Sequence, residues 1–216
     1  MPYETGKIEL LTTPPKVYEK AEADGIAPMC NEGPRKLQRN LCLVRDCDYL
    51  LKEFKKIQDP NGIEVAYSKC KKVHTSVHRR DRNFTLGLYY TEAPTVLRKE
   101  GLFVKDYTCN SIDDLVNILK IPGVRVLCNV LEPDFDNPTN PPGSHWVVAL
   151  KNDGDNIVVA DSSYRDGVTG GILSYPKEEF AKIFKDETLK SNRRRREYLS
   201  GYCMIVSDRE INFPTN

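Results

Sequence analysis

Residues 145–161 read HWVVALKNDGDNIVVAD: two apolar runs separated by Asn152, Asp153, Gly154 and Asp155. That tetrad is turn chemistry and the runs beside it are rich in valine and isoleucine, so the segment predicts an antiparallel hairpin. A hairpin that closes there constrains the chemistry as well as the fold. It carries His145, at the start of one strand, and Asp161, at the end of the next, to the same end of two neighbouring strands.

The rest of the chain supplies partners for that hairpin. IPGVRVLCNVL (121–131) predicts a turn and a buried central strand, and GYCMIVS (201–207) a final apolar strand. LFVKDY (102–107) reads as a further strand, and IEVAY (63–67) as another. Helical spacing of Leu43, Cys47, Leu50, Leu51 and Phe54 marks the strongest helix, with Asn40 as its N-cap and DPNG (59–62) as the turn that ends it. Pro94 opens a short helix that Gly101 closes. Ser111 and Asp114 have the spacing of a capping box ahead of Ile112, Leu115, Val116 and Leu119. LSYPKEEFAKIF (173–184) predicts a short helix with Pro176 near its first turn. Helices come mainly first and antiparallel strands second, which is an α+β order. Residues 1–33 read as an irregular lead-in and 34–216 as one domain.

Composition narrows the class. A chain of 216 residues buries enough surface to fold without staples. With 32 Lys+Arg against 31 Asp+Glu the formal charge is +1, which argues against a globally basic nucleic-acid binder. No apolar run reaches the roughly 20 residues of a membrane span, and the first residues lack the pattern of a signal peptide. The seven cysteines (30, 42, 47, 70, 109, 128 and 203) are odd in number and contain no CxxC pair. They point to reduced thiols in a cytoplasmic setting, whether of the producing cell or of a host cell into which an effector is delivered.

A histidine at a strand end beside the Pro/Gly-rich loop 132–144 has a rigid mount and a pKa near working pH, which suits a general base. A carboxylate at Asp161 can accept the second imidazole N–H and fix the tautomer. The nucleophile that such a pair would serve is Cys42, close to a helix N-terminus where N–H groups and the dipole stabilise a thiolate. Cys47 is the alternative if the helix starts near Arg45–Asp46, and Cys30 is a third option. Gln38, just upstream, could donate to an oxyanion. Ser144 and Trp146 flank the histidine and are candidate binding residues, Trp146 also being placed to pack in the sheet.

GSHWVVALKNDGDNIVVADSS, then GGILSYPKEEFAKIF, then GYCMIV, resembles the C-terminal half of papain-like cysteine peptidases, nearest the bacteriocin-leader-processing domains, over roughly residues 110–207. The N-terminal half departs from that pattern, because no Cys-Gly follows the expected glutamine. RNLCLVRD is similar to the helix start of papain-fold toxin domains, which resemble glutamine deamidases. The resemblance implies a papain-like α+β fold and a cysteine peptidase acting on protein or peptide through Cys42, His145, Asp161 and Gln38, with no cofactor. A deamidase or transglutaminase-type effector uses the same steps.

Two basic segments support a different class. Residues 69–82 include Arg79 and Arg80, and residues 192–196 include Arg194 and Arg195. If they meet, an inactive papain-like module could bind nucleic acid or an acidic partner. Cys70, His74 and His78 share helical spacing, but their basic neighbours disfavour a cation, so no metal site is expected.

Overall fold

The computed structural model describes residues 16–17, 42–57, 64–81, 84, 87–132, 143–162, 171–185 and 200–211. In chain order these form β1 (Lys16–Val17), α1 (Cys42–Glu53), α2 (Glu64–Val77), α3 (Ala93–Lys99), β2 (Phe103–Thr108), α4 (Ile112–Leu119), β3 (Val124–Glu132), β4 (Gly143–Asp153), β5 (Asn156–Asp161), β6 (Gly171–Pro176), α5 (Lys177–Phe184) and β7 (Tyr202–Ser207). The architecture is α+β. The strands make one antiparallel sheet in the order β1-β6-β5-β4-β3-β7-β2.

The predicted hairpin is the middle of that sheet. Asn152 pairs with Ile157 and Asp153 with Asn156, and Gly154 takes the positive φ of +63° that the tight turn requires. Strand alternation then sorts the side chains onto two faces. Trp146, Val148, Val158 and Ala160 pack with Leu43, Cys47, Leu50, Leu51 and Leu97 of α1 and α3. Val147, Ala149, Ile157 and Val159 pack with Leu115 and Leu119 of α4 and with Phe180 and Phe184 of α5. Both faces are covered, which is why β4 and β5 read as continuous apolar runs.

Local signals hold at several ends. The Ser111 hydroxyl accepts from the Asp114 N–H while the Asp114 carboxylate accepts from the Ser111 N–H, completing the capping box of α4. Pro94 lies in the first turn of α3, and Gly101 follows it with φ +79°.

Three expectations are corrected. The segment placed as a strand at 63–67 belongs to α2 from Glu64 onward, and the basic stretch after it continues the same helix. Ala66, Cys70, Val73 and His74 are buried along one side of α2, a helical stripe masked in the sequence by the lysines between them. Residues 173–176 form part of β6, and the helix starts only after Pro176. Within the lead-in, Lys16 and Val17 pair with Ser174 and Leu173 as a short edge strand. Asn40, the 59–62 turn and most of the 132–144 loop lie outside the described residues.

Candidate active site

β4 enters the sheet at a point secured by β3. Asn129, opposite Trp146, donates from Nδ2 to Ser144 Oγ at 2.6 Å and to the His145 carbonyl at 3.4 Å. This holds the backbone on both sides of His145. The His145 ring is buried, and its Nε2 lies 2.8 Å from Oδ1 of the fully buried Asp161. Tyr175, from β6, donates its hydroxyl to the other carboxylate oxygen at 3.3 Å. Asp161 is therefore held from two sides, by the Tyr175 hydroxyl on one oxygen and by an Nε2–H of His145 on the other. With that nitrogen protonated, Nδ1 carries the lone pair, the tautomer a general base requires.

Cys42 is the first residue of α1 and is half-buried. The other five described cysteines, at 47, 70, 109, 128 and 203, are buried. Cys47 lies inside the helix, and its thiol is held well above the ordinary range by a hydrogen bond with Cys70 and then by burial. Burial does the same to Cys128, and a hydrogen bond with Cys109, 3.9 Å away, does so to Cys203. Raised thiols in apolar surroundings are poor nucleophiles. Because α1 begins at Cys42, Cys47 loses the helix-start position on which its candidacy depended.

The residue that connects α1 to the dyad is one that sequence reading passed over. Asp46 is completely buried one turn after Cys42, and neither of its carboxyl oxygens has a hydrogen bond among the described residues. Burial above all, then the charges at Cys42 and Asp161, hold its carboxyl well above the usual carboxylate range, while His145 pulls the other way. Asp46 thus lies within electrostatic reach of Cys42, His145 and Asp161. A charged residue on the buried stripe Leu43, Asp46, Cys47, Leu50 was the available signal.

Trp146 is buried against the α1 side of the sheet. Its ring stacks on Tyr90 at 6.3 Å and meets Tyr202 edge-on at 6.0 Å. Tyr90 is 39% exposed, so this aromatic group reaches the surface on the α1 side. Ser144 is exposed. Arg79 and Arg80 are exposed in the turn after α2, while Lys69 is tied to Glu100 at 2.8 Å. Gln38, Cys30, Arg194 and Arg195 lie outside the described residues, so the meeting of the two basic segments is not part of the described geometry. Among the described residues no helix is long and apolar enough to cross a membrane.

No family model matches the chain, and no curated protein does. The chain is similar to solved peptidase domains. One is a double-glycine-motif protease from an AMS/PCAT transporter in complex with the leader peptide (18% identity, 77% of this chain and 83% of that one, TM-score 0.44). Another is the peptidase domain of Streptococcus ComA, a bifunctional ABC transporter (10% identity, 79% and 93%, TM-score 0.49). A third is a C39-like peptidase from Bacillus anthracis (18% identity, 58% and 62%, TM-score 0.36).

Proposed function

We propose that the chain is a cysteine-dependent amide hydrolase of the peptidase type, with Cys42 as nucleophile, His145 as general base and acid, and Asp161 as the residue that orients His145. The observation that carries this reading is the buried 2.8 Å contact between His145 Nε2 and Asp161 Oδ1. It is supported by Cys42, the most exposed of the described thiols, at the first turn of a helix packed on β4 and β5. The Cys42 sulfur attacks the amide carbonyl as its proton passes to His145 Nδ1. The tetrahedral oxyanion is held by a backbone N–H at the start of α1 and by Gln38. Collapse expels the amine, which takes the proton from His145, and leaves a thioester on Cys42. Water, deprotonated by His145, releases the acid.

The test is site-resolved thiol reactivity. The native chain is titrated with limiting iodoacetamide across neutral pH, and modified cysteines are mapped by mass spectrometry beside His145→Ala. Cys42 is expected to be alkylated faster than the buried cysteines and to lose that reactivity in the variant. Uniformly slow thiols in both proteins refute the reading. Product analysis then separates peptide cleavage, which creates new amino termini, from deamidation, which releases ammonia.

A further inference from the structure

Within the helical layer, α2, the turn after it and the start of α3 bring two histidines and two carboxylates together. His74 is fully buried, and Glu92, the residue before α3, is nearly so. His74 Nδ1 lies 3.0 Å from Glu92 Oε2, and His78 Nε2 lies 3.3 Å from Glu92 Oε1. The donor atoms of His74, His78 and Glu92 all fall within 4.8 Å of one another. Ligand atoms bound tetrahedrally at about 2.0–2.1 Å from a zinc ion stand roughly 3.3 Å apart, so the spacing is that of a coordination shell.

We propose that His74 Nδ1, His78 Nε2 and the Glu92 carboxylate form a Zn²⁺ site. Three further observations point to a cation. Glu92 Oε1 is buried and has no hydrogen bond among the described residues, although a ring nitrogen faces it. An acceptor left in that state costs about 1–3 kcal/mol, and a cation relieves it. The other Glu92 oxygen is fixed by the Tyr89 N–H at 2.9 Å, so the carboxylate is aimed before any ligand arrives. Behind His74, Nε2 lies 3.2 Å from Asp81 Oδ2. A carboxylate on the far nitrogen of a ligating imidazole holds that nitrogen protonated and turns the other lone pair toward the metal.

The surroundings fit the same reading. Phe84 and Tyr89 wall the His74 ring at 5.0 and 5.6 Å, and Tyr89 packs edge-on to His78 at 4.9 Å. The His78 side chain is 41% exposed, which leaves an entry path and a fourth position for water. Arg79, Arg80 and Lys72 are exposed, and the carboxylates that face the histidines are Asp81, from the same stretch, and Glu92, from 18 residues beyond His74. Cys70 is not a ligand, because it is paired with Cys47. The ion would pin α2 to α3.

The experiment uses the full chain, freed of metal by a chelator and titrated with Zn²⁺ against a chromophoric competitor, and separately with Co²⁺. One equivalent is expected to bind, to raise the melting temperature, and to give Co²⁺ the visible bands of a tetrahedral site without a thiolate charge-transfer band. His78→Ala, at a half-exposed position, is expected to leave the circular dichroism unchanged and to abolish the binding. Asp81→Asn is expected to weaken it by about 10–100-fold. The chain contains only three histidines, so His145→Ala is the control and should bind as the parent does. Failure of the folded chain to retain Zn²⁺, binding unaffected by His78→Ala, or a thiolate band would each overturn the proposal. The first of these would leave a hydrogen-bonded His–Glu cluster.

Discussion

Replacing Asp46 with Asn probes the point where α1 meets the dyad. The Asp46 carboxyl is raised by burial first and by the charges at Cys42 and Asp161 next, against an opposing pull from His145. In the unfolded chain the same group ionises near about 3.9. Between that value and its folded one, the folded chain keeps a proton that the unfolded chain has released. Folding stability is therefore fully present below the unfolded value and falls as pH rises toward the folded one. Each pH unit in that window removes about 1.4 kcal/mol. Asparagine does not ionise, so the variant lacks this slope. For each pH unit of that window the variant should gain about 1.4 kcal/mol on the parent, roughly 3–6 °C in melting temperature for a chain of this size. Guanidinium unfolding of both proteins at a series of pH values from about 4 to about 7 measures the difference. The asparagine amide brings its own unmet hydrogen bonds, but that offset does not depend on pH, so the slope is the quantity to read. Parallel stability curves for the two proteins would sink the reasoning, because they would mean that Asp46 titrates alike in the folded and unfolded chains.

Three other substitutions have outcomes worked from single contacts. Asp161→Asn keeps the shape but lets His145 take the wrong tautomer; the alkylation rate of Cys42 at neutral pH should drop to that of an ordinary cysteine, and turnover by about 10⁴-fold. Ser111→Ala removes the capping box of α4 and should destabilise the chain by about 1 kcal/mol in denaturant unfolding, with Cys42 reactivity unchanged. Gly201→Ala should lose about 2 kcal/mol or more by the same assay. Its φ is +69°, and a Cβ there would stand 2.5 Å from the Cys109 carbonyl oxygen, which is backbone and cannot step aside.

The hairpin and the capping box were legible because each is a local device. A turn at 152–155 sets the pairing of β4 with β5 whatever surrounds it, and that pairing carries His145 to Asp161. Ser111 and Asp114 need only each other. α2 was misread because Ile63, Val65 and Tyr67 favour a strand locally, and only packing shows which residues of 64–77 are buried. Alternation along β4 separates Trp146 and Val148 from Val147 and Ala149, but only the packed structure shows that α1 covers one face and α4 and α5 the other. Glu92 stands 18 residues from His74, and no spacing rule joins them. Asp46 shares the apolar stripe of α1, but its closeness to His145 and Asp161 exists only once the sheet has packed against that helix. Local turns, caps and strand partners were thus determined by the sequence itself, because their interactions span a few residues. The burial of Asp46 and the meeting of His74 and His78 with Glu92 were decided by the tertiary structure, because burial and charge proximity exist only once distant segments have packed.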